Sequence, residues 1–369
     1  MTNFTFNSTD DLKIFLKDNK FNKILIISGD TSYKLSGADK IINELLINKN
    51  IKYFFKKFAY PDLLELKKLI KEINLFLPDL IIAVGGGSVL DYAKIANVLT
   101  DSENLEQEIS TSSYKIKDKF AKLVAIPTTA GSGAEVTSNA VIYIDKIKYS
   151  VEGEQLKPDF FFLIPELVIG ASNKIKASAG FDAIAQAMES LISKKSNSES
   201  VNFAEKSLQI SLKYYLDFLN NPNKDNTSAM CLAANLSGKA ISISKTTAPH
   251  AVSYPFTAIY NISHGHAVSL TLNKFLQFNF KNIKNSNCNF NLKDRYKIMF
   301  EVSKTDNIES FDKYIIDLKE KANLENNFLK LGIDLKKDYS NIISGVNILR
   351  LSNNPVELKK EDLKEIILK

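Results

Sequence analysis

The chain has 369 residues, of which 44% are hydrophobic and 24% charged, and this composition predicts folded globular domains and excludes a largely disordered chain. The excess of 48 Lys and Arg over 42 Asp and Glu leaves a net charge of +6, too small and too interleaved with acidic residues to favour nucleic acid as a partner. Two distant cysteines exclude a disulfide framework and a thiolate zinc finger. No apolar run approaches the ~18 residues of a membrane span, and residues 1–7 lack a signal-peptide pattern. We therefore expect a cytoplasmic protein that does not bind membranes.

The first half of the chain alternates strand and helix patterns. Apolar runs predict strands at 23–29, 51–55, 79–84 and 123–127. Between them, amphipathic spacing predicts helices at 41–48, 62–76 and 89–99. Continuous apolar strands that alternate with amphipathic helices are typical of a parallel sheet covered on both faces.

From about Ile175 onward, strand patterns disappear and long helical patterns replace them. These helices are predicted at 177–194, 200–219 and 226–244, with more beyond Ala267, while the Asn-rich residues 285–291 predict a loop. We therefore predict two domains, an α/β domain at 1–165 and an all-helical domain at 166–369.

A glycine triplet, Gly85, Gly86 and Gly87, lies with Ser88 between the third strand and its helix. Glycine lets a backbone approach a ligand closely, and the first amides of a helix form an anion site. The position favours a pyrophosphate site over the alternative, a tight strand–helix turn, although the pattern is not the usual G-x-G-x-x-G.

The segment from Thr128 and Thr129 through Ser132 to Glu135 follows the fourth strand in the same way. Its hydroxyls and glycines suit a nucleotide, and an alternative role for Ser132 is to cap a helix with Glu135 three residues on. Loops at the carboxyl ends of neighbouring strands form the usual nucleotide site of an open α/β sheet.

The only three histidines, His250, His264 and His266, fall within 17 residues. Imidazole is a common transition-metal ligand, and such metals need further donors. Asp182 lies within an apolar predicted helix, with Gln186 at i+4 on the same face. The spacing leaves two alternatives open, a surface loop at His264–His266 and a helix cap at Asp182.

Together, these segments resemble the iron-containing (group III) alcohol dehydrogenases. Val84–Lys94 is similar to that family's GGGSxxDxAK signature, and Pro127–Thr137 to its second nucleotide loop. Gly180–Ala183 and the stretch from His250 to Gly265 are similar to its metal-binding segments. The resemblance, which covers about residues 20 to 275, implies a Rossmann-like N-terminal domain and a helical C-terminal domain, the fold shared with dehydroquinate synthase.

The resemblance also implies which residues bind the cofactors. The dinucleotide, NADH or NADPH, would contact Gly29, Gly85, Gly86, Gly87, Ser88, Asp91, Thr128, Thr129, Ser132, Thr137 and Lys148. A catalytic divalent metal, Fe²⁺ or Zn²⁺, would be held by Asp182, Gln186, His250 and His264. The family usually has histidine where Gln186 and Tyr254 stand, so we expect weaker metal binding.

The position that Gly29 occupies carries, in the family, an aspartate that excludes NADP. Without that carboxylate the 2′-phosphate of NADPH is not repelled, and Lys34 is a candidate to approach the phosphate. The side chain of the neighbouring Asp30 could point towards the phosphate or away from it. We therefore expect NADPH to be accepted.

With Gln186 and Tyr254 in place of the family's usual histidines, the sequence resembles the branch of the family that reduces phosphonoacetaldehyde to 2-hydroxyethylphosphonate. This resemblance implies a small aldehyde or alcohol as the substrate and a homodimer. Ser244, Lys245 and Thr246 would bind the phosphonate, and Tyr254 and His266 would relay the proton. Alternatively, Lys245 is a solvated helix-end lysine and Tyr254 a packing aromatic.

Three other functions remain open for the whole chain. It could be another alcohol or polyol dehydrogenase of the same family, a lyase of the dehydroquinate synthase type, or a binding protein without activity.

Overall fold

The structure is a computed structural model that describes residues 8–47, 49–58, 60–145, 147–346 and 348–368. Two compact units make up the chain, one of residues 1–171 with 223–231 and one of residues 172–222 with 232–369. The boundary after residue 165 stays a prediction. The expectation about residues 1–7 and the end of the helix predicted at 41–48 concern positions outside the described residues.

The first unit is built around a five-stranded parallel sheet. Its elements are α1 Thr9–Asp18, β1 Lys23–Gly29, α2 Asp30–Leu35, α3 Ala38–Leu45, β2 Asn50–Lys56, α4 Leu63–Phe76, β3 Leu80–Gly85, α5 Gly87–Val98, α6 Leu105–Ser110, β4 Lys122–Pro127, β5 Asn139–Ile144, β6 Ile147–Glu152, a 3₁₀ turn Glu154–Leu156, β7 Phe160–Phe161 and α7 Glu166–Ile169. The strand order of the parallel sheet is β2-β1-β3-β4-β7, and β5 and β6 form a separate antiparallel hairpin. The predicted parallel sheet is confirmed.

Both faces of this sheet are covered by apolar layers. Ile24 and Ile26 belong to a core with α1 and α3 on one face, whereas Leu25 and Ile27 belong to a core with α4 and α5 on the other. Because the central strands β1, β3 and β4 are buried on both faces, their sequences are nearly continuous apolar runs.

The second unit is helical. Its elements are α8 Asn173–Ile192, α9 Ser198–Asn220, the part of α10 Lys224–Ser244 beyond residue 231, α11 Ala248–Tyr260, α12 His264–Ser269, α13 Leu272–Lys281, a 3₁₀ turn Ile283–Asn285, α14 Leu292–Ser303, α15 Ile308–Lys321, α16 Leu335–Ser344, α17 Ile348–Leu351 and α18 Lys360–Leu368. Past Phe161, the described residues form no strand beyond an isolated bridge between Ser286 and Val356, which confirms the predicted helical half. Among the described helices, none has the length and apolar character needed to cross a membrane.

One local expectation is wrong, because no helix follows β4. Residues 128–138 remain irregular, and Gly133 takes a left-handed φ of 61°. The Lys94 ammonium donates to the carbonyls of Ala134 and Asn139, which ties the segment to α5 instead of leaving it to form helical hydrogen bonds. Ser132 therefore caps no helix.

Candidate functional site

The two loops predicted to bind the nucleotide lie against each other. Gly85 pairs with Pro127 across β3 and β4, so both loops leave the same edge of the sheet. A Cβ on Gly87 would lie 2.8 Å from Ser132 Oγ, and one on Gly86 would lie 3.5 Å from Thr129 Oγ1. Glycine at position 87 is what permits this close approach. This edge combines hydroxyls with the N-terminus of α5, a combination that suits a phosphate group.

Two further predicted contacts, Ser88 of the first loop and Thr128 of the second, differ in exposure. Ser88 is half-buried beside the glycines, whereas Thr128 is buried and its amide donates to Gly85 O at 3.0 Å. A Cβ on Gly85 would lie 2.5 Å from Val89 Cγ2, so this glycine serves the packing of α5 against β3.

Lys94 is fully buried and supports the second loop from behind. Its Nζ donates to Thr137 Oγ1 at 2.7 Å and lies 3.9 Å from Asp91 Oδ1. Asp91 Oδ2 in turn accepts from the Val141 amide at 3.1 Å. Burial raises the pKa of Asp91, against the opposing attraction of Lys94 and Lys148. Asp91, Thr137 and Lys148 thus belong to a network within the protein, and their contacts with the dinucleotide stay predictions.

Gly29 ends β1 and lies at the edge of an open cavity of about 640 Å³ formed with residues 30–32 and 55–58. Lys34, which we expected to approach a 2′-phosphate, is exposed and pairs with Asp30 at 3.1 Å. Lys57 is exposed and lines the cavity. The structure therefore offers Lys57, instead of Lys34, as the cation that would approach a 2′-phosphate in this cavity.

Three of the four predicted metal ligands meet within the second unit. Asp182 comes from α8, His250 from α11 and His264 from the first turn of α12, and one ligand atom of each lies within 4.8 Å of the others. Asp182 is in the middle of α8, whose cap is Ser172, and His264 begins a helix. Both alternatives that the spacing left open, a helix cap and a surface loop, are therefore excluded.

Gln186 lies one turn after Asp182 and contacts it directly. Its Nε2 donates to Asp182 Oδ2 at 3.2 Å, and its Oε1 accepts from the Ser237 hydroxyl at 2.9 Å. A flip of the amide would exchange these two atoms, and the Ser237 hydroxyl, which also donates to Ala234 O, would then accept from the amide. In that orientation Oε1 faces the cluster as an oxygen donor.

Gly265 is the residue that allows α12 to reach α8. A Cβ on Gly265 would lie 1.9 Å from Ser178 O and 2.8 Å from Asp182 Cβ. The adjacent His266 amide donates to Ser178 Oγ at 3.1 Å, which fixes the crossing. The absent side chain is therefore what brings His264 beside Asp182.

Glu189, which the sequence analysis did not single out, orients His250. It is fully buried at i+7 from Asp182 in α8, and its Oε2 binds His250 Nδ1. Its Oε1 accepts from both the amide and the hydroxyl of Thr247 at 2.9 Å. His250 Nε2 is thereby directed towards Asp182 Oδ1, 3.3 Å away. Metal-binding histidines characteristically carry a carboxylate on the second ring nitrogen. The polar i, i+4, i+7 stripe on an apolar helix was the available sequence signal.

The charges around His250 suit a divalent cation. Burial lowers the pKa of His250, but the neighbouring carboxylates of Glu189 and Asp182 outweigh burial and raise it to about 9. The site thus has a surplus of negative charge. Two imidazoles, a carboxylate and an amide oxygen form a donor set that binds Fe²⁺ or Zn²⁺. The residues present therefore fit the predicted metal.

The two residues predicted to relay a proton differ in their surroundings. The Tyr254 ring stacks on the His264 ring with centroids 6.0 Å apart, and its hydroxyl is hydrogen-bonded to Arg350. Burial raises the pKa of Tyr254, which Arg350 partly opposes. His266 Nε2 is instead bonded to Glu325 O at 2.8 Å. Tyr254 is therefore beside the cluster, and His266 is committed to a backbone carbonyl.

The segment predicted to bind the phosphonate connects α10 to α11. The Ser244 side chain is fully buried and its hydroxyl donates to Ser190 Oγ at 2.8 Å. Thr246 is also buried, and its carbonyl accepts from Asn353 Nδ2 at 2.9 Å. Lys245 between them is half-buried with a left-handed φ of 60°. Of the three, Lys245 alone has a side chain that is not buried.

Known proteins with similar sequences reduce aldehydes or oxidise alcohols. Phosphonoacetaldehyde reductase of Streptomyces viridochromogenes is 32% identical over 221 residues, which are 57% of this chain and 56% of that protein. This alignment therefore spans little more than half of that relative. The 4-hydroxybutyrate dehydrogenase of Clostridium kluyveri is 26% identical over 318 residues, 79% of this chain and 84% of that protein.

Solved structures share the fold along nearly the whole chain. Sulfoacetaldehyde reductase from Bifidobacterium kashiwanohense, in complex with NAD⁺, matches with a TM-score of 0.87 and 23% identity over 99% of this chain and 95% of that one. The iron-containing alcohol dehydrogenase from Thermococcus thioreducens matches with a TM-score of 0.84 and 22% identity over 98% of this chain and 96% of that one.

Family models account for both units. The iron-containing alcohol dehydrogenase model matches residues 2–165, and the C-terminal model of the Fe-containing alcohol dehydrogenase family matches residues 176–369. This family uses NAD(P) and iron, which confirms the predicted kinds of cofactor. The chain belongs to the iron-containing alcohol dehydrogenase family.

Proposed function

We propose that this chain, an oxidoreductase by its family, reduces phosphonoacetaldehyde to 2-hydroxyethylphosphonate with NAD(P)H and a divalent metal. The observation that carries the proposal is the cluster of Asp182, His250 and His264, with Glu189 behind His250. The 32% identity with phosphonoacetaldehyde reductase supports the choice of substrate. In our proposal Gln186 completes the metal site through its amide oxygen.

When bound, the metal supplies Lewis-acid stabilisation of negative charge on the aldehyde oxygen, and the nicotinamide supplies the hydride. The residues of the chain prepare this chemistry. Glu189 fixes the orientation of His250, and Asp182 supplies a carboxylate beside it. Tyr254, whose pKa burial raises, stays protonated at neutral pH and can donate its proton to the growing alkoxide.

We also propose that NADPH is accepted. Gly29 adds no carboxylate of its own at the edge of its cavity, the carboxylate of the neighbouring Asp30 is paired with Lys34, and Lys57 lines the same cavity. Gly29→Asp should therefore raise the KM for NADPH at least about tenfold relative to NADH. Gly29→Ala is the matched control, since its Cβ meets the same neighbour, Ser32 Oγ, at 2.7 Å without adding charge. A wild-type enzyme that uses only NADH would contradict this proposal.

A second candidate is a dehydrogenase for a short hydroxy acid. The 4-hydroxybutyrate dehydrogenase of Clostridium kluyveri aligns over more of this chain, 79%, although at a lower identity of 26%. Its substrate, like a phosphonoaldehyde, carries an anionic end. The two candidates therefore share a need for cations near the metal and differ in the oxyanion.

The deciding experiment reconstitutes the purified chain with Fe²⁺ or Zn²⁺ and assays it with NADH and NADPH. Phosphonoacetaldehyde, succinic semialdehyde and the uncharged propionaldehyde are compared by kcat/KM. We expect phosphonoacetaldehyde to be preferred, and His264→Ala to lose both bound metal and turnover. Full activity in chelator-treated, metal-free protein would refute the metal, and a preference for propionaldehyde would refute the anionic substrate. Turnover without net oxidation of NAD(P)H would indicate a lyase instead.

A homodimer acting in the cytoplasm also remains part of our proposal. Light scattering of the purified chain gives its mass in solution directly. A monomeric mass near 41.3 kDa would contradict the dimer.

A further inference from the structure

We propose that Arg350 binds the anionic end of the substrate, with Lys245 as the second cation. This inference rests on the proposed function and names the residue that recognises the oxyanion. The chain has only two arginines, Arg295 and Arg350, although Lys and Arg together number 48. In a chain that otherwise uses lysine for positive charge, an arginine beside the metal cluster calls for a specific role.

Arg350 reaches the cluster through one aromatic ring. It is half-buried in α17, which packs against α11, the helix that carries His250 and Tyr254. Its guanidinium is hydrogen-bonded to the Tyr254 hydroxyl, and the Tyr254 ring stacks on His264 at 6.0 Å. An oxyanion held by Arg350 would therefore lie close to a carbonyl group at the predicted metal.

Asn353 fixes Arg350 to the segment that carries Lys245. Its backbone amide donates to Arg350 O at 3.2 Å. Its Nδ2 donates at 2.9 Å to the carbonyls of Ser244 and Thr246, the two residues that flank Lys245. Asn353 is itself buried. The backbones that carry the two cations are thus held together by three hydrogen bonds of a single residue.

The chemistry of the neighbouring groups demands such cations. The buried carboxylates of Asp182 and Glu189 already balance the charge of a divalent ion at the cluster, so an anionic end taken out of water needs charged donors of its own. A guanidinium has five N–H donors in a planar fork, so a bond to Tyr254 is compatible with a two-point contact to a phosphonate. Lysine offers a point charge only, which is why we assign the orienting contact to Arg350.

The competing explanation is structural, in which Arg350 only holds the Tyr254 hydroxyl in place. That role would affect charged and uncharged aldehydes equally, because Tyr254 would serve both. Binding of the anionic end would affect charged aldehydes alone. The ratio between the two substrate classes therefore separates the explanations.

The test uses the metal-reconstituted full chain with Arg350→Gln and Arg350→Lys, and with Arg295→Gln as the matched control. Arg295 lies in α14, where its guanidinium is 4.6 Å from the Phe290 ring centroid. Steady-state kinetics are measured for phosphonoacetaldehyde, succinic semialdehyde and propionaldehyde. Binding of 2-hydroxyethylphosphonate is measured by calorimetry, as a readout independent of turnover.

We expect Arg350→Gln to raise the KM for phosphonoacetaldehyde about 10–100-fold and to weaken binding of 2-hydroxyethylphosphonate by a similar factor. The KM for propionaldehyde should change less than about twofold, and Arg295→Gln should leave all three substrates unchanged. Arg350→Lys should lose less than Arg350→Gln, since it keeps the charge without the fork. A larger loss on succinic semialdehyde would support the contact and make the oxyanion a carboxylate.

Equal losses on charged and uncharged aldehydes would overturn the role of Arg350. An Arg350→Gln enzyme that keeps the wild-type preference for charged aldehydes would also overturn it, while leaving the proposed function intact. A wild-type enzyme that neither prefers charged aldehydes nor binds 2-hydroxyethylphosphonate would refute the proposed function and this contact together. If Arg350→Gln does not fold, Arg350→Lys decides through the same ratio of substrates.

Discussion

Replacing Gly265 with alanine should separate His264 from Asp182 and so disable the metal site. The new Cβ would lie 1.9 Å from Ser178 O, whereas real contacts of this kind are not shorter than 3.0 Å. Helix α12 must therefore move away from α8 by roughly 1 Å or more, since the obstacle is backbone and cannot rotate aside. Metal–ligand distances tolerate only about 0.2 Å.

We expect Gly265→Ala to weaken metal affinity by about 100-fold or more. The free energy of unfolding of the metal-free protein should fall by about 1–3 kcal/mol, the usual cost of an overpacked core. Metal content after dialysis and titration against a coloured chelator measure the first effect, and urea unfolding measures the second.

The matched control is Gly332→Ala, in the same unit. Gly332 has a left-handed φ of 78° and no atom within 4 Å of an added Cβ. Its substitution costs about 1 kcal/mol of backbone strain but should leave the metal affinity unchanged. If Gly265→Ala binds metal as tightly as Gly332→Ala, the close approach of α12 is not what assembles the site.

Three further results are expected. Gln186→His should tighten metal binding at least about tenfold, because imidazole is the better ligand; unchanged affinity in the chelator titration would show that position 186 does not contact the metal. Lys245→Gly should raise the KM for phosphonoacetaldehyde about tenfold while urea unfolding changes by less than about 1 kcal/mol, since relief of the left-handed φ offsets the flexibility of glycine. A parallel loss of stability would assign Lys245 to the fold. Burial, only partly opposed by Asp312, lowers the pKa of the buried Lys319 to about 8 from 10.5. Below pH 8 the Lys319 side chain is protonated in both the folded and the unfolded chain. Between pH 8 and 10.5 only the unfolded chain keeps this proton. The free energy of unfolding, compared with that of Lys319→Met, should therefore rise with pH by up to about 3 kcal/mol. Parallel pH profiles of the two proteins would contradict the buried charge.

The elements of the fold follow from patterns that are local in the sequence. Ile24–Ile27 and Leu80–Val84 are apolar on both faces of a strand, and α8 and α9 are long and strongly patterned, so both could be predicted. The loop after β4 could not be, because Ser132 and Glu135 have the spacing of a capping box. Lys94, about forty residues earlier, binds that loop and overrides the local signal.

The same distinction applies to the site. The histidines stood out by rarity and by the family's motifs, and Asp182 by its apolar surroundings. Glu189 lies 61 residues from His250, so the polar stripe of α8 marks Glu189 but not its partner. Asn353 lies 107 residues from Thr246, and no local pattern marks that contact. The one sequence signal for Arg350 is that the chain has only two arginines. What that arginine does depends on the packing of α17 against α11, which the sequence does not reveal.

The hydrogen bonds of Asn353 have a consequence for the order in which the chain is made. The predicted metal ligands are complete once His264 has been synthesised, but Asn353 follows them and pairs with Ser193, 160 residues earlier, at 2.8 Å. A nascent chain that has just passed His264 thus contains the metal donors without the residue that fixes Lys245 or the arginine proposed to receive the substrate. Contacts of such large sequence separation form slowly. However, α11 and α12, which carry His250 and His264, share their apolar core with Ile333, Ile342 and Leu363. The donors are therefore fixed in place only once the C-terminal helices have been made, so the metal site and the contacts of Asn353 are completed together.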